Sequence, residues 1–228
     1  MVKHANDSVF DRRNFERFSA LEQKIKTYDA SLLNVRAKNA PELYSYFYHN
    51  SDAIYQYVRL LIAGNEFAAS NEIRAMLGHL AESELNCNSV SRHELQNAYG
   101  HFRRMNIDVL KMLCDELDKA LSLWLQKHYH YDYRKQDEEF LPTFSESYVS
   151  AKRKYKEARL LESIGSDSKS NKFNVIELYY QAAFAYIDLF GFYRRRHEMI
   201  EKKKWRTILH YVGCVVMSIF LIAVGFIP

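Results

Sequence analysis

The chain has 228 residues, 48% of them apolar and 26% charged, with only 3 prolines and 7 glycines. That apolar fraction excludes wholesale disorder, and so few turn-forming residues exclude a fold of many short strands, which leaves an all-α helical bundle. The net charge of +4 is local: Arg194, Arg195, Arg196, Lys202, Lys203, Lys204 and Arg206, against Glu198 and Glu201, leave the rest of the chain at about −1, without a broad nucleic-acid footprint.

In chain order, apolar periodicity predicts a first helix over 11–36, with Phe15, Phe18, Leu21, Ile25, Leu32 and Val35 near one stripe. Pro41 suits the first turn of a second helix, whose aromatic-rich face runs through Tyr44, Phe47, Tyr48, Ile54, Tyr55, Val58 and Leu61 and which Gly64-Asn65 closes. A third covers 66–86. Ser91-x-x-Glu94 reads as a capping box opening a fourth that continues to about His128. Thr143-x-x-Glu146 opens a fifth, the GSDSKSN run over 165–171 is a linker, and Asn174-x-x-Glu177 starts the last. Within that last helix, 175–193 is nearly all apolar yet holds Glu177, Gln181 and Asp188, acidic residues being costly at membrane depth. It is expected to be a core or subunit-interface helix packed on two sides.

The tail from Tyr211 to Pro228 carries no charge and, with Thr207 to His210, makes a segment of about 20 residues, enough for a hydrocarbon core ~30 Å thick. A C-terminal transmembrane helix over 205–228 is therefore expected. The basic residues before it are expected to flank the membrane and keep the N-terminal domain cytoplasmic, as a single-pass protein of the inner (plasma) membrane with membrane lipid as a partner. The expected domains are a helical bundle over 1–164 with its core at 45–125, a linker over 165–173, an interface helix with the basic collar over 174–204, and the span. The polar N-terminus carries no signal peptide, and Cys87, Cys114 and Cys214 share no metal-ligand spacing, so free structural thiols are expected.

The chemistry-bearing residues cluster in the middle third. Arg74 and His79 form an R-x4-H motif, and Asn97, His101, Arg104, Asp108 and Lys111 share one polar stripe of the next helix, opposite an apolar face of Ala98, Phe102, Met105, Val109 and Leu113. Asn71 shares a face with Arg74, and Glu72 with His79. Positions five apart on a regular helix point about 140° from each other, so a joint site of Arg74 and His79 needs a break at Gly78 or one residue from each subunit of a dimer. A structural polar network between the two helices, with Arg74 pairing Glu72 or Asp108, also fits. No metal set is assigned: His128, His130 and Asp132 alternate as they would on a strand and have no evident fourth ligand.

An R-x4-H motif followed by a polar H-x2-R-x3-D-x2-K helix resembles the HEPN superfamily of four-to-five-helix domains, common in prokaryotic toxin and antiviral systems that include CRISPR effectors. The resemblance covers about 45–125. It implies metal-free RNA cleavage by the 2′-hydroxyl, with Arg74 holding the phosphate and His79 handling the proton, and no cofactor. With the tail, it resembles small HEPN-like membrane proteins that accompany RNA-targeting CRISPR systems. Two functions are expected: a membrane-anchored homo-oligomeric effector in phage defence, acting by membrane permeabilisation or partner docking, and a tail-anchored ribonuclease. RNA or a nucleoprotein is the macromolecular partner.

Overall fold

The computed structural model describes residues 12–27, 37–62, 68–85, 89–128, 140–164 and 171–223. Its helices are α1 (Arg12–Ile25), α2 (Ala40–Tyr46), a π-helical turn (Phe47–Ser51), α3 (Asp52–Leu61), α4 (Ala68–Leu85), α5 (Ser89–His128), α6 (Phe140–Ile164) and α7 (Asn171–Ala223). No strand occurs among the described residues, as the all-α expectation required.

The starts of the helices show where short motifs mislead. Asn39 caps α2 as Pro41 foretells: it sits extended (φ −152°) and its side chain accepts from the Glu42 backbone N–H at 2.9 Å, while Glu42 reaches back to the Lys38 N–H. Ser91 caps nothing. α5 begins two residues earlier, and the Ser91 hydroxyl donates to the Ser83 carbonyl of α4 at 2.9 Å while Glu94 is drawn to α4. α6 and α7 likewise begin three residues ahead of their predicted openings at Thr143 and Asn174. The linker at 165–170, the C-terminal part of the first predicted helix at 28–36, and Gly64-Asn65 lie outside the described residues.

The predicted second helix is interrupted by the π turn. A π turn spends one more residue per hydrogen-bonded loop than an α turn, so it rotates the faces before and after it by about 100° relative to each other. Ile54, Val58 and Leu61 are buried accordingly, whereas Tyr44 and Tyr48 are exposed and stack on each other at 6.5 Å. Leu43 takes the buried position instead.

α7 is the central element. Its residues Val175, Ile176, Tyr179, Ala183, Tyr186 and Phe190 are all buried, and it packs on α6, α5 and α1. These contacts, with three helices, all lie within one chain. Its tyrosines bring hydroxyls into the interior, and carboxylates of α5 and α6 accept from them: Tyr186 donates to Asp118 at 2.9 Å and Tyr179 to Glu162 at 2.6 Å. Tyr148 and Tyr155 of α6 donate to Asp118 and Asp115 of α5 at 2.8 and 2.7 Å. Burial, then these carboxylates, push all four phenols upward.

Arg194 does not face a membrane. It is 6% exposed, ion-pairs with Glu22 of α1, and lies over the rings of Phe18 and Phe190 at 5.6 and 5.2 Å. Tyr57 of α3 donates to the same Glu22 carboxylate at 3.1 Å. Burial raises the Glu22 carboxyl above its ordinary 4.5, and Arg194 and Tyr57 only partly pull it back. Arg195, Lys202 and Arg206 are exposed, and Arg196 lies over Phe192 at 5.7 Å; the side chains of Lys203 and Lys204 lie outside the described residues.

The transmembrane expectation is overturned: among the described residues no helix is long and apolar enough to cross a membrane. The described side chains of the uncharged tail run from Thr207 to Ser218. The side chains of 219–223 and all of 224–228 lie outside the described residues. The single-pass, inner-membrane placement falls with the span. α7 runs unbroken through the collar.

Truncating one partner of the Glu22–Arg194 pair strands a buried charge, which typically costs about 3–5 kcal/mol. Arg194→Met should lose that much in urea denaturation. Glu22→Gln combined with Arg194→Met, which keeps an acceptor for Tyr57 but removes both charges, should recover most of it.

Candidate functional site

α4 and α5 form an antiparallel pair with a short connection, and this brings histidines and carboxylates from both into one polar seam. The apolar face of α5 drives the pairing, since Ala98, Phe102, Met105, Val109 and Leu113 are all buried, as are Met76 and Leu80 of α4. The seam lies at the edge of that packing.

Two histidine–carboxylate pairs cross it in opposite directions. His79 of α4 meets Glu94 of α5, Nδ1 to Oε2 2.5 Å, with side chains 30% and 13% exposed. His101 of α5 meets Glu72 of α4, Nδ1 to Oε2 2.7 Å. The imidazole rings stack on each other, centroids 5.1 Å apart and planes 19° apart. Arg104 reaches the same place, its Nε 3.4 Å from Glu72 and one terminal nitrogen 3.1 Å from His101 Nδ1.

A carboxylate offers only acceptors, so in each pair the ring Nδ1 carries the hydrogen and donates it. His101 Nδ1 then has no lone pair for Arg104, whose partner here is Glu72. The consequence is chemical: both imidazoles are held in one orientation, with Nε2 left for other work. Glu82, one turn beyond His79 and exposed, places a carboxylate oxygen close to the His79–Glu94 pair; the three potential ligand atoms lie within 4.8 Å of one another.

The sequence-predicted residues therefore divide. His79, His101, Glu72 and Arg104 come together. Arg74 is exposed and its guanidinium bonds Asn71 one turn back at 3.5 Å. α4 is unbroken at Gly78, so the helix break required for Arg74 and His79 to share a site in one chain is absent. Asn97 is half-buried on the same stripe of α5. Farther along, the stripe serves another interface: Lys111 donates to Glu162 of α6 at 2.5 Å. Burial raises the Asp108 carboxyl there, with Lys111 opposing. Of the polar-network alternative, inter-helix bonds exist at Glu72 of α4, which meets both His101 and Arg104 of α5.

Glu94 and Glu82 escaped the sequence reading. Glu94 was absorbed into a capping box, and the legible trace of Glu82 is its spacing, since His79-x2-Glu82 puts both on one helical face. The His128, His130 and Asp132 alternative lies outside the residues whose side chains are described, as does Cys87. Cys114 is buried, where desolvation drives its thiol up, and Cys214 is exposed; both are free thiols.

The tautomers are directly measurable. Long-range proton–nitrogen spectra of the imidazoles should show His79 and His101 as Nδ1–H forms. Glu94→Ala should release His79 alone to the ordinary Nε2–H mixture, and Glu72→Ala should release His101 alone.

Compared with known proteins, the chain matches no family model, no curated protein and no solved structure.

Proposed function

We propose that this chain is a HEPN-like endoribonuclease of antiviral defence, in which His79 and His101 move protons and Arg104 meets the phosphate. The observation that carries this reading is the pair of stacked imidazoles, each braced at Nδ1 by its own carboxylate, 5.1 Å apart. Cleavage by an RNA 2′-hydroxyl needs one proton taken from that hydroxyl and one given to the departing 5′-oxygen. Two neighbouring Nε2 atoms supply an acceptor and a donor, in roles that exchange once the strand is cut. The 61%-exposed Arg104 offers a fork for the non-bridging oxygens. The products are a 2′,3′-cyclic phosphate and a free 5′-hydroxyl, with no metal in the step.

This differs from the motif-based assignment in one respect. The phosphate contact is assigned to Arg104, which meets Glu72 beside His101, in place of Arg74.

Single-stranded RNA should be cut in EDTA. His79→Ala and His101→Ala should each lower the rate by about 100-fold to 10,000-fold, the usual worth of general acid–base catalysis. Arg74→Ala should cost less than either. A double histidine variant that cuts at the parental rate sinks the proposal.

A second reading, homo-oligomeric docking, is favoured by a separate observation. Beyond the bundle α7 exposes Trp205, Leu209, Tyr211, Val212, Val215 and Met217, each more than half accessible. Apolar surface of this extent marks a place of association. Ile208, Val212 and Val215 follow the four-then-three spacing of a helix-pairing seam. Sedimentation of the full chain should show a self-associated species that Val212→Glu with Val215→Glu reduces to monomer; a parent chain that is monomeric at every concentration removes this reading.

A further inference from the structure

We infer that His79, Glu82 and Glu94 form a binding site for a single Zn²⁺ ion, with water completing its coordination. The inference is independent of the cleavage chemistry above, because it concerns occupancy of the seam and not turnover.

The ligand atoms are of the right kind and nearly in place. Zinc takes imidazole nitrogen and carboxylate oxygen at about 2.0–2.2 Å, which in a tetrahedron sets neighbouring ligands roughly 3.3 Å apart. His79 Nδ1 and Glu94 Oε2 are now 2.5 Å apart and must open slightly. The three ligand atoms lie within 4.8 Å of each other, and Glu82 is exposed, so its side chain can close the remainder by a rotamer change. Binding moves the His79 hydrogen from Nδ1 to Nε2, exchanging one neutral tautomer for the other, and leaves Nδ1 free to coordinate.

Two further features fit an ion of this type. His79 and Glu82 are three apart on α4 and Glu94 comes from α5, so the ion would clip the two helices together at their connected end. The ring of His101 lies flat against His79, held by Glu72, and walls one side of the site. An imidazole together with carboxylates suits zinc and its first-row neighbours, whereas magnesium and calcium prefer oxygen alone. Zinc at His79 also takes that nitrogen's lone pair and fixes the ring, which gives the seam two exclusive states.

The test is titration of the purified full chain, stripped of metal, with ZnCl₂, read by native mass spectrometry and calorimetry. One Zn²⁺ per chain is expected, with a rise in melting temperature. His79→Ala, Glu94→Gln and Glu82→Gln should each weaken binding more than about tenfold, since loss of even an outer-shell partner commonly costs that much. Helicity and metal-free melting temperature are measured for each variant, so a loss of binding in a chain that still folds cannot be assigned to unfolding. Cys214 lies 3.8 Å from His210 and offers a rival pair, so Cys214→Ser serves as the comparison and should bind as the parent does. Substitution with Co²⁺ should give tetrahedral visible bands without thiolate charge transfer. Unchanged binding in Glu82→Gln and Glu94→Gln, a thiolate band, or no zinc uptake at all would overturn the assignment.

Discussion

The length of α7 between Val175 and Arg194 is apolar around most of its circumference, and water must be removed from nearly every side of it. A helix with one apolar stripe is satisfied by a single neighbour; this one needs several. α1, α5 and α6 supply them, and the bundle is arranged around α7 as a result. The same demand explains the carboxylates in the interior. Tyrosine is large enough to fill the gaps but carries a hydroxyl, so each buried phenol of α7 brings with it an acceptor such as Asp118 or Glu162.

Arg194 closes the buried part of α7 on that principle. A guanidinium enters the interior because Glu22 neutralises it and two aromatic faces cover it. The collar thus has two parts with different surroundings: Arg194 belongs to the bundle, while Arg195, Lys202 and Arg206 face outward. Beyond them α7 continues as a helix whose described side chains are exposed through Ser218. One continuous helix therefore runs from the core to an apolar surface outside it.

The α4–α5 seam stands apart from this core. It holds two histidines, their carboxylates and Arg104 in a half-exposed setting, where reagents have access and the side chains are still braced. Bracing of an imidazole at Nδ1 by a carboxylate orients Nε2, which is what proton transfer requires.

The helical class, the positions of most helices and the buried face of α5 were legible in the sequence, because periodicity and the scarcity of proline and glycine act locally. So was the polar stripe with His101 and Arg104. The tertiary structure alone decided which groups meet. Arg194 finds Glu22 across 172 positions, and Glu94 leaves its apparent capping role for His79, since a partner on another helix is invisible to local spacing. The π turn that exposes Tyr44 and Tyr48 has no sequence period of its own. The R-x4-H spacing pointed to His79, which lies in the seam. It could not place Arg74, because an unbroken helix turns residues five apart to different sides and only the register of α4 on α5 determines which side is met.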